Sequence, residues 1–406
     1  MSGGFELAPV LEALCFQVGH PESLAALPRE RWRGLLARTD RARLTLALGV
    51  RCTEWLPGFV RDRIGGDLAR NAERHQRLRR EYYRIAALFE ERGIDFVVLK
   101  GAAHWPYFCD RPDHRPQYDF DFWCAPASLE RARSAVEELG FEPVNGRHDG
   151  PTDHLPTMIR RTGWRWRSDY FDPEMPASLE IHFRLWNPRV EWIDADGLEE
   201  FWNRRSVREV DGVRVPTLSL PDTLSYAALH SLRHLLRGDL RPYHVYELAH
   251  FLERSRQDEE FWSSWRATTP EPLRALAGLM FRLAREWFQC ELPAAVKEAL
   301  SAPVENWLRR FAFSPLRDSP NKDELWLHLA LVRDWRSRRN ILIRRLAPRP
   351  ARASLAPHVR SESLPWNARR RLYRAHFFIR RAVHHARALL STALRAARSS
   401  ASQISR

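Results

Sequence analysis

Apolar positions recur along the chain with two different periods. Up to residue 93 the spacing is helical. Leu7, Leu11 and Leu14 fall on one face, leucines recur from Leu24 to Val50 around Trp32, and a long polar-rich run from Phe59 to Arg92 ends at Gly93, a residue suited to closing a helix. Between residues 94 and 216 short apolar runs take over. Strands are expected at Phe96–Leu99, Phe120–Trp123, Phe141–Val144, Thr157–Arg161, Trp164–Tyr170 and Leu179–Phe183, with a helix from Pro126 to Leu139 closed by Gly140. From residue 217 helical spacing returns: Pro221-Asp222-Thr223 opens a helix to Arg237, Tyr243–Arg254 forms another, and two or three more reach Arg338. Residues 347–368 contain prolines and serines and read as a linker. Arg369–Arg398 reads as a last helix with an apolar seam of Leu372, His376, Ile379, Val383, Ala386 and Leu390.

The pattern predicts an α+β protein in four regions: helical 1–93, a mixed core 94–216, helical 217–346, and a linker with a C-terminal helix at 347–406. Its 406 residues suffice for two or three domains and a sizeable core. No window offers 18 uncharged apolar residues, so no membrane span is expected. The N-terminus is too acidic and too short in apolar run for a signal peptide. The five cysteines, Cys15, Cys52, Cys109, Cys124 and Cys290, are scattered without a C-x-x-C pair, which suits a reducing cytoplasm and argues against a cysteine-bound zinc.

Charge changes the picture at one end. Residues 340–406 carry 15 arginines against Glu362, a balance of +14, which equals that of the whole chain, so residues 1–339 sum to zero. Such a segment suits contact with nucleic acid, an acidic membrane or a partner protein, or a solvated tail. Lysine is rare: Lys100, Lys297 and Lys322 stand against 62 arginines. A lysine kept beside Gly101 points to a need for a compact ammonium there.

The candidate chemistry lies around that lysine. The run Phe96–Leu99 ends in Lys100-Gly101-Ala102, where a glycine permits close backbone approach to a ligand and backbone N–H groups can meet a phosphate. Arg115 precedes Tyr118-Asp119-Phe120-Asp121-Phe122. On a strand Asp119 and Asp121 share a face, and two carboxylates side by side repel unless a cation joins them. Mg²⁺, or Mn²⁺, takes oxygen ligands of this kind together with phosphates. Leu179-Glu180-Ile181-His182 adds a third carboxylate and, two residues on, an imidazole. Read singly, the acids are equally well strand-end surface residues or salt-bridge partners of nearby arginines.

In this order the three pieces resemble the bacterial uncharacterised nucleotidyltransferase family found in biosynthetic gene clusters, part of the DNA polymerase beta-like superfamily. That family shows L-K-G, then R-P-x-x-D-h-D, then E-h-H, matched here by Leu99-Lys100-Gly101, Arg115-Pro116-Gln117-Tyr118-Asp119-Phe120-Asp121 and Glu180-Ile181-His182. The resemblance covers most of residues 1–350. It implies a minimal nucleotidyltransferase sheet with flanking helices, and transfer of an NMP from an NTP such as ATP to a hydroxyl or phosphate acceptor. Asp119, Asp121 and Glu180 would serve as catalytic metal ligands, with Glu180 alternatively the base toward the acceptor. Lys100, Gly101, Ala102, Arg115 and His182 would bind nucleotide. Two other readings stay open: a toxin-like enzyme acting on tRNA or other RNA, and a non-catalytic nucleotide- or RNA-binding protein. Gly101-Ala102 departs from the Gly-Gly or Gly-Ser of larger relatives. Seventeen residues lie between Gly101 and Asp119, more like the toxins than the polymerases.

Three further features are read without an assigned role. His230 and His234 are four apart on one helix, a spacing that permits a shared metal, but no third ligand has an obvious position and core or groove histidines are the expectation. Glu247 falls on the next helix, where the resembling family carries an acid. The run Arg161–Arg167 alternates arginine and tryptophan, suiting either a groove for phosphates and bases or a surface strand of stacked side chains.

Overall fold

Asp119 and Asp121 stand in the middle of a seven-stranded mixed sheet. The strands are β1 (Phe96–Val98), β2 (Asp119–Cys124), β3 (Phe141–Pro143), β4 (Met158–Arg160), β5 (Ser178–His182), β6 (Ser206–Val210) and β7 (Val213–Thr217), in the order β3-β4-β5-β2-β1-β7-β6. β2 runs antiparallel to β1 and parallel to β5, and β1 runs parallel to β7. The computed structural model describes residues 6–144, 152–210, 212–296, 300–317, 321–346, 379–380, 382–388 and 390. These divide into two units, one within residues 1–144 and 152–301, the other from Ala302 onward. The architecture is α+β with helices flanking a mixed sheet, as the apolar pattern predicts.

The period of two along β2 decides what the sheet does. Phe120, Phe122 and Cys124 join one buried cluster with Phe96 and Val98 of β1 and with Leu179 and Ile181 of β5. Helices Gly58–Glu91 and Leu129–Glu138 cover that face, contributing Tyr82, Ile85, Phe89, Ala132 and Val136. The Phe122 ring lies 5.6 Å from those of both Phe89 and Phe96. Asp119 and Asp121 therefore project to the other face. That face meets helices Leu220–Arg237 and Pro242–Arg254, on which Glu259–Thr268 and Glu271–Phe288 pack in turn. Ser219 caps the first of them by accepting from the Asp222 N–H at 3.4 Å.

Several elements differ from the sequence reading. The leucine run Leu24–Val50 splits into Glu22–Ala25, Arg29–Ala42 and Thr45–Cys52, because Pro28 precedes one helix and Arg43 ends it in the left-handed conformation. Trp164–Tyr170 is not a strand. Gly163 and Ser168 take φ values of 73° and 63°, which no strand accommodates, and the segment turns so that Trp166 packs edge-on against Tyr170 with ring centres 5.0 Å apart. Arg161, Arg165 and Arg167 are exposed there. The β6–β7 hairpin was not anticipated, although Asp211-Gly212 between two valine-containing runs is a strong turn signal.

The second unit contains helices Ala302–Phe311, Asp323–Leu331 and Trp335–Leu346, with Trp307 Nε1 donating to the Asp323 carbonyl at 2.6 Å. Ile341 is fully buried, so the charge break at Asn340 falls inside a packed helix rather than at its edge. The expected linker at 347–368, and Leu372 and His376 of the expected seam, lie outside the described residues. Ile379, Val383, Ala386 and Leu390 are exposed, so the described positions of that seam do not face a core. No helix among the described residues is long and apolar enough to cross a membrane.

Phe122 sits where three elements converge. Phe122→Ala is expected to lower unfolding free energy by about 3–5 kcal/mol, the cost of a large buried aromatic truncated to a methyl. Urea denaturation followed by tryptophan fluorescence measures it; a change under 1 kcal/mol would mean that the cluster does not hold helix Gly58–Glu91 to the sheet.

Candidate active site

The register of β2 and β5 brings the acids together. Asp121 pairs directly with Glu180, Asp119 with Ser178 and Trp123 with His182, so two carboxylates on neighbouring strands point the same way. The strand β1 delivers Lys100 from the other side. Its Nζ lies 2.9 Å from Asp121 Oδ2, 3.7 Å from Asp119 Oδ2 and 3.2 Å from His230 Nε2. The 2.9 Å contact is an ion pair, and Asp121 Oδ2 is buried with no hydrogen bond beside it. His182 Nε2 stands 3.1 Å from Asp121 Oδ1 and 3.6 Å from Glu180 Oε2. Thr157 donates its hydroxyl to Glu180 Oε1 at 2.9 Å, and His154 Nε2 lies 3.9 Å from Glu180 Oε2.

The two aspartates differ in setting. The Asp121 side chain is 1% exposed and Asp119's 37%. Removing Asp119 still leaves Lys100 paired with Asp121, whereas Asp121 itself compensates a buried ammonium.

Burial opposes charge on each of the enclosed groups, and the neighbours decide the outcome. At Lys100 burial favours the neutral amine, but Asp121 and Asp119 outweigh it and hold the ammonium well above its ordinary value. At Asp121 burial is outweighed by Lys100 and by the bond to His182, so the carboxylate is favoured. At Glu180 burial is again outweighed, by His182 and His154, and the carboxyl falls to about 2. His182 rises to about 8 because Asp121 and Glu180 overcome its burial. Asp121, Glu180 and His182 offer ligand atoms within 4.8 Å of one another. An oxygen-rich set with one buried, unbonded carboxylate oxygen fits a hard divalent cation.

Gly101 and Ala102 begin a short turn, Gly101–His104, directly after Lys100. Gly101 takes φ 68°, and the space beside it is filled by the amide of Gln117, which donates from Nε2 to the Asp119 carbonyl at 2.9 Å. The glycine thus admits a close side-chain neighbour in this structure. Arg115 is not brought to the carboxylates. It is buried, and its Nε donates to Glu247 Oε1 at 2.7 Å, while His104 Nδ1 meets the same oxygen at 2.9 Å. The role of Glu247, open from sequence, is to bind Arg115 and His104 to helix Pro242–Arg254. Burial would raise its carboxyl, but Arg115 and His104 bring it down to about 2.

Sequence reasoning missed several neighbours. Thr157 and His154 reach Glu180 from the edge of the sheet, and Asp153 pairs with Arg233, one turn beyond His230 on helix Leu220–Arg237. Tyr226, one turn before His230, is fully buried with no partner for its hydroxyl. Only Arg233 and Tyr226 carried a signal, lying at i+3 and i−4 from a histidine already singled out.

An L-K-G turn, a D-x-D strand and an E-x-H strand are thus brought together around one lysine. A family model described as "Uncharacterised nucleotidyltransferase" matches residues 28–289. The chain belongs to that family, which supports nucleotidyl transfer as its general chemistry. No curated protein and no solved structure matches the chain.

Glu247 permits a test of the buried network that leaves the carboxylate cluster alone. Its folded value of about 2 lies below its ordinary 4.5, so its stabilisation is complete above pH 4.5 and is lost as pH falls toward 2. Glu247→Gln strands a buried guanidinium and is expected to cost about 3 kcal/mol at pH 7. The deficit relative to the parent should shrink as pH drops below 4.5. Thermal melts across pH 3–7 read this; a deficit independent of pH would mean that Glu247 stabilises by shape alone.

Proposed function

We propose that the protein transfers an NMP from an NTP to a hydroxyl- or phosphate-bearing acceptor at the Asp119–Asp121–Glu180 cluster, with Mg²⁺ or Mn²⁺ bound there. The observation that carries this is the in-register pair Asp121 and Glu180 with Lys100 Nζ between Asp121 and Asp119. A divalent cation held by these acids would supply charge neutralisation to the triphosphate. The chain's own groups do the rest. Lys100 is the ammonium available to a phosphate oxygen, and Asp119, the exposed member, is the acid at the mouth of the site. His182 holds Asp121 and Glu180 in position.

The acidity of Glu180 favours one of its two candidate roles. A carboxylate held at about 2 is a weak proton acceptor near neutral pH, so Glu180 serves better as a cation ligand than as the base toward the acceptor. Retention of all three acids favours catalysis over simple nucleotide binding. The acceptor is a small molecule, a peptide or an RNA, and the arginine-rich segment beyond residue 340 is proposed to aid an anionic partner through salt-sensitive attraction.

The test is incubation of the full chain with each labelled NTP and Mg²⁺ or Mn²⁺ beside candidate acceptors, read by pyrophosphate release and intact mass, with NTP binding followed by calorimetry. NTP binding should depend on the divalent ion, and Asp119→Asn should weaken it by about tenfold or more, about 1.4 kcal/mol, at an unchanged melting temperature. Equal NTP affinity in excess chelator, or normal turnover in Asp119→Asn, would overturn the assignment.

A further inference from the structure

Within reach of Lys100 lies a second cluster, made only of imidazoles. His230 and His234 occupy successive turns of helix Leu220–Arg237, and their Nε2 atoms are 3.2 Å apart. His244, in the first turn of helix Pro242–Arg254, closes the group: its ring centre lies 5.1 Å from that of His230 and 5.2 Å from that of His234. One nitrogen of each ring falls within 4.8 Å of the others. The turn at Gly238 folds the second helix back on the first, which is how a ligand ten residues beyond His234 joins an i, i+4 pair.

The proton positions leave an electrophile wanting. Asp239 Oδ1 lies 3.0 Å from His234 Nδ1. A carboxylate only accepts, so Nδ1 carries the proton and Nε2 of the neutral ring is bare. The Lys100 ammonium only donates, and at 3.2 Å from His230 Nε2 it requires that nitrogen to be bare as well. Two lone pairs thus face each other at 3.2 Å. The third ring has a buried Nδ1 with no hydrogen-bond partner. A proton placed between His230 and His234 would answer the first two rings and leave His244 unexplained. A metal ion answers the first two and draws in a nitrogen of the third. For tetrahedral zinc with Zn–N of about 2.0–2.1 Å, ligand nitrogens stand roughly 3.4 Å apart, close to the observed pair.

We propose that His230, His234 and His244 form a binding site for a borderline transition-metal ion, Zn²⁺ or a similar ion, distinct from the oxygen-rich carboxylate cluster. Three imidazoles select this class of ion, whereas carboxylate oxygens select Mg²⁺ or Mn²⁺. Asp239 fixes the tautomer and orientation of His234, the role that a carboxylate behind a ligating histidine performs in zinc proteins. An ion here takes the His230 lone pair from Lys100, whose ammonium keeps its 2.9 Å contact with Asp121. Three protein ligands leave a coordination position open. The site stands independently of the transfer reaction proposed above.

Cobalt is the probe, because tetrahedral Co²⁺ absorbs visibly and octahedral Co²⁺ hardly does. The full chain, stripped with chelator, is titrated with Co²⁺ in the presence of excess Mg²⁺. The expected result is a tetrahedral spectrum saturating at a single equivalent, unaffected by Mg²⁺ and abolished by Zn²⁺, with a metal-dependent rise in melting temperature. His234→Ala and His244→Ala should each lose the spectrum. Asp239→Asn, at an exposed carboxylate, should weaken binding about tenfold, and Glu180→Gln should leave the spectrum unchanged. His234 and Asp239 are partly exposed, so those two variants keep the test intact if His244→Ala fails to fold. Absence of a tetrahedral spectrum, its persistence in His234→Ala, or its loss in Glu180→Gln would each overturn the proposal.

Discussion

The structure depends on a buried ammonium. Lys100 follows the end of a three-residue strand and is one of only three lysines in a chain with 62 arginines. Its charge is enclosed, and enclosure alone would favour the neutral amine. Asp121 at 2.9 Å reverses that balance, with Asp119 behind it. A planar guanidinium could not occupy the same point between two carboxylates and an imidazole, because its donors spread in a fork. The acids in turn owe their tolerance of each other to this cation and to His182. Remove the ammonium and the in-register pairing of β2 with β5 places Asp121 beside Glu180 with a single imidazole to separate them.

The same logic, a buried cation set against a buried acid, ties the helical half to the sheet. Arg115, in the chain entering β2, reaches Glu247 on helix Pro242–Arg254. Arg233, on helix Leu220–Arg237, reaches Asp153 and donates to the Leu185 carbonyl at 2.5 Å. Such pairs contribute little net stability against their desolvation, but they are intolerant of misplacement, since either partner alone is costly. They fix which helix faces lie over the carboxylates. Tyr226, His230 and Arg233 lie on successive turns of one helix and thereby face Lys100 and the strand ends rather than solvent.

This explains what was legible in the sequence and what was not. The acids were legible because a strand's period of two puts Asp119 and Asp121 on the face opposite Phe120 and Phe122, and the apolar partners announce the strand. Lys100 was singled out for a phosphate, and its contact with these acids comes from the antiparallel pairing of β1 with β2. Arg115 stands beside the D-x-D strand in sequence, whereas its ion-pair partner, Glu247, is 132 residues away, a contact that sequence neighbourhood does not report. The same distance problem hid Thr157, His154 and Asp153. Trp164–Tyr170 looked like a strand because alternation of arginine and tryptophan mimics one. The positive φ values at Gly163 and Ser168 come from the local turn chemistry that alternation does not report. His244 was not singled out because it lies across a helix-helix turn from His230 and His234.

The charge balance around Lys100 bears on how the proposed site would operate. Asp119, Asp121 and Glu180 are already opposed by Lys100 and by His182, so the repulsion that would draw a cation to bare acids is largely met within the chain. These acids then gain most from a cation that arrives with an anion able to take up Lys100. A nucleotide triphosphate supplies such an anion. Metal affinity measured without nucleotide would accordingly understate what the acids can hold, and Lys100 is the group that makes the two bindings interdependent. Its other neighbour, His230, belongs to the imidazole cluster at 3.2 Å, so one side chain stands in contact with both clusters. What binds at either one alters the partners left to that ammonium.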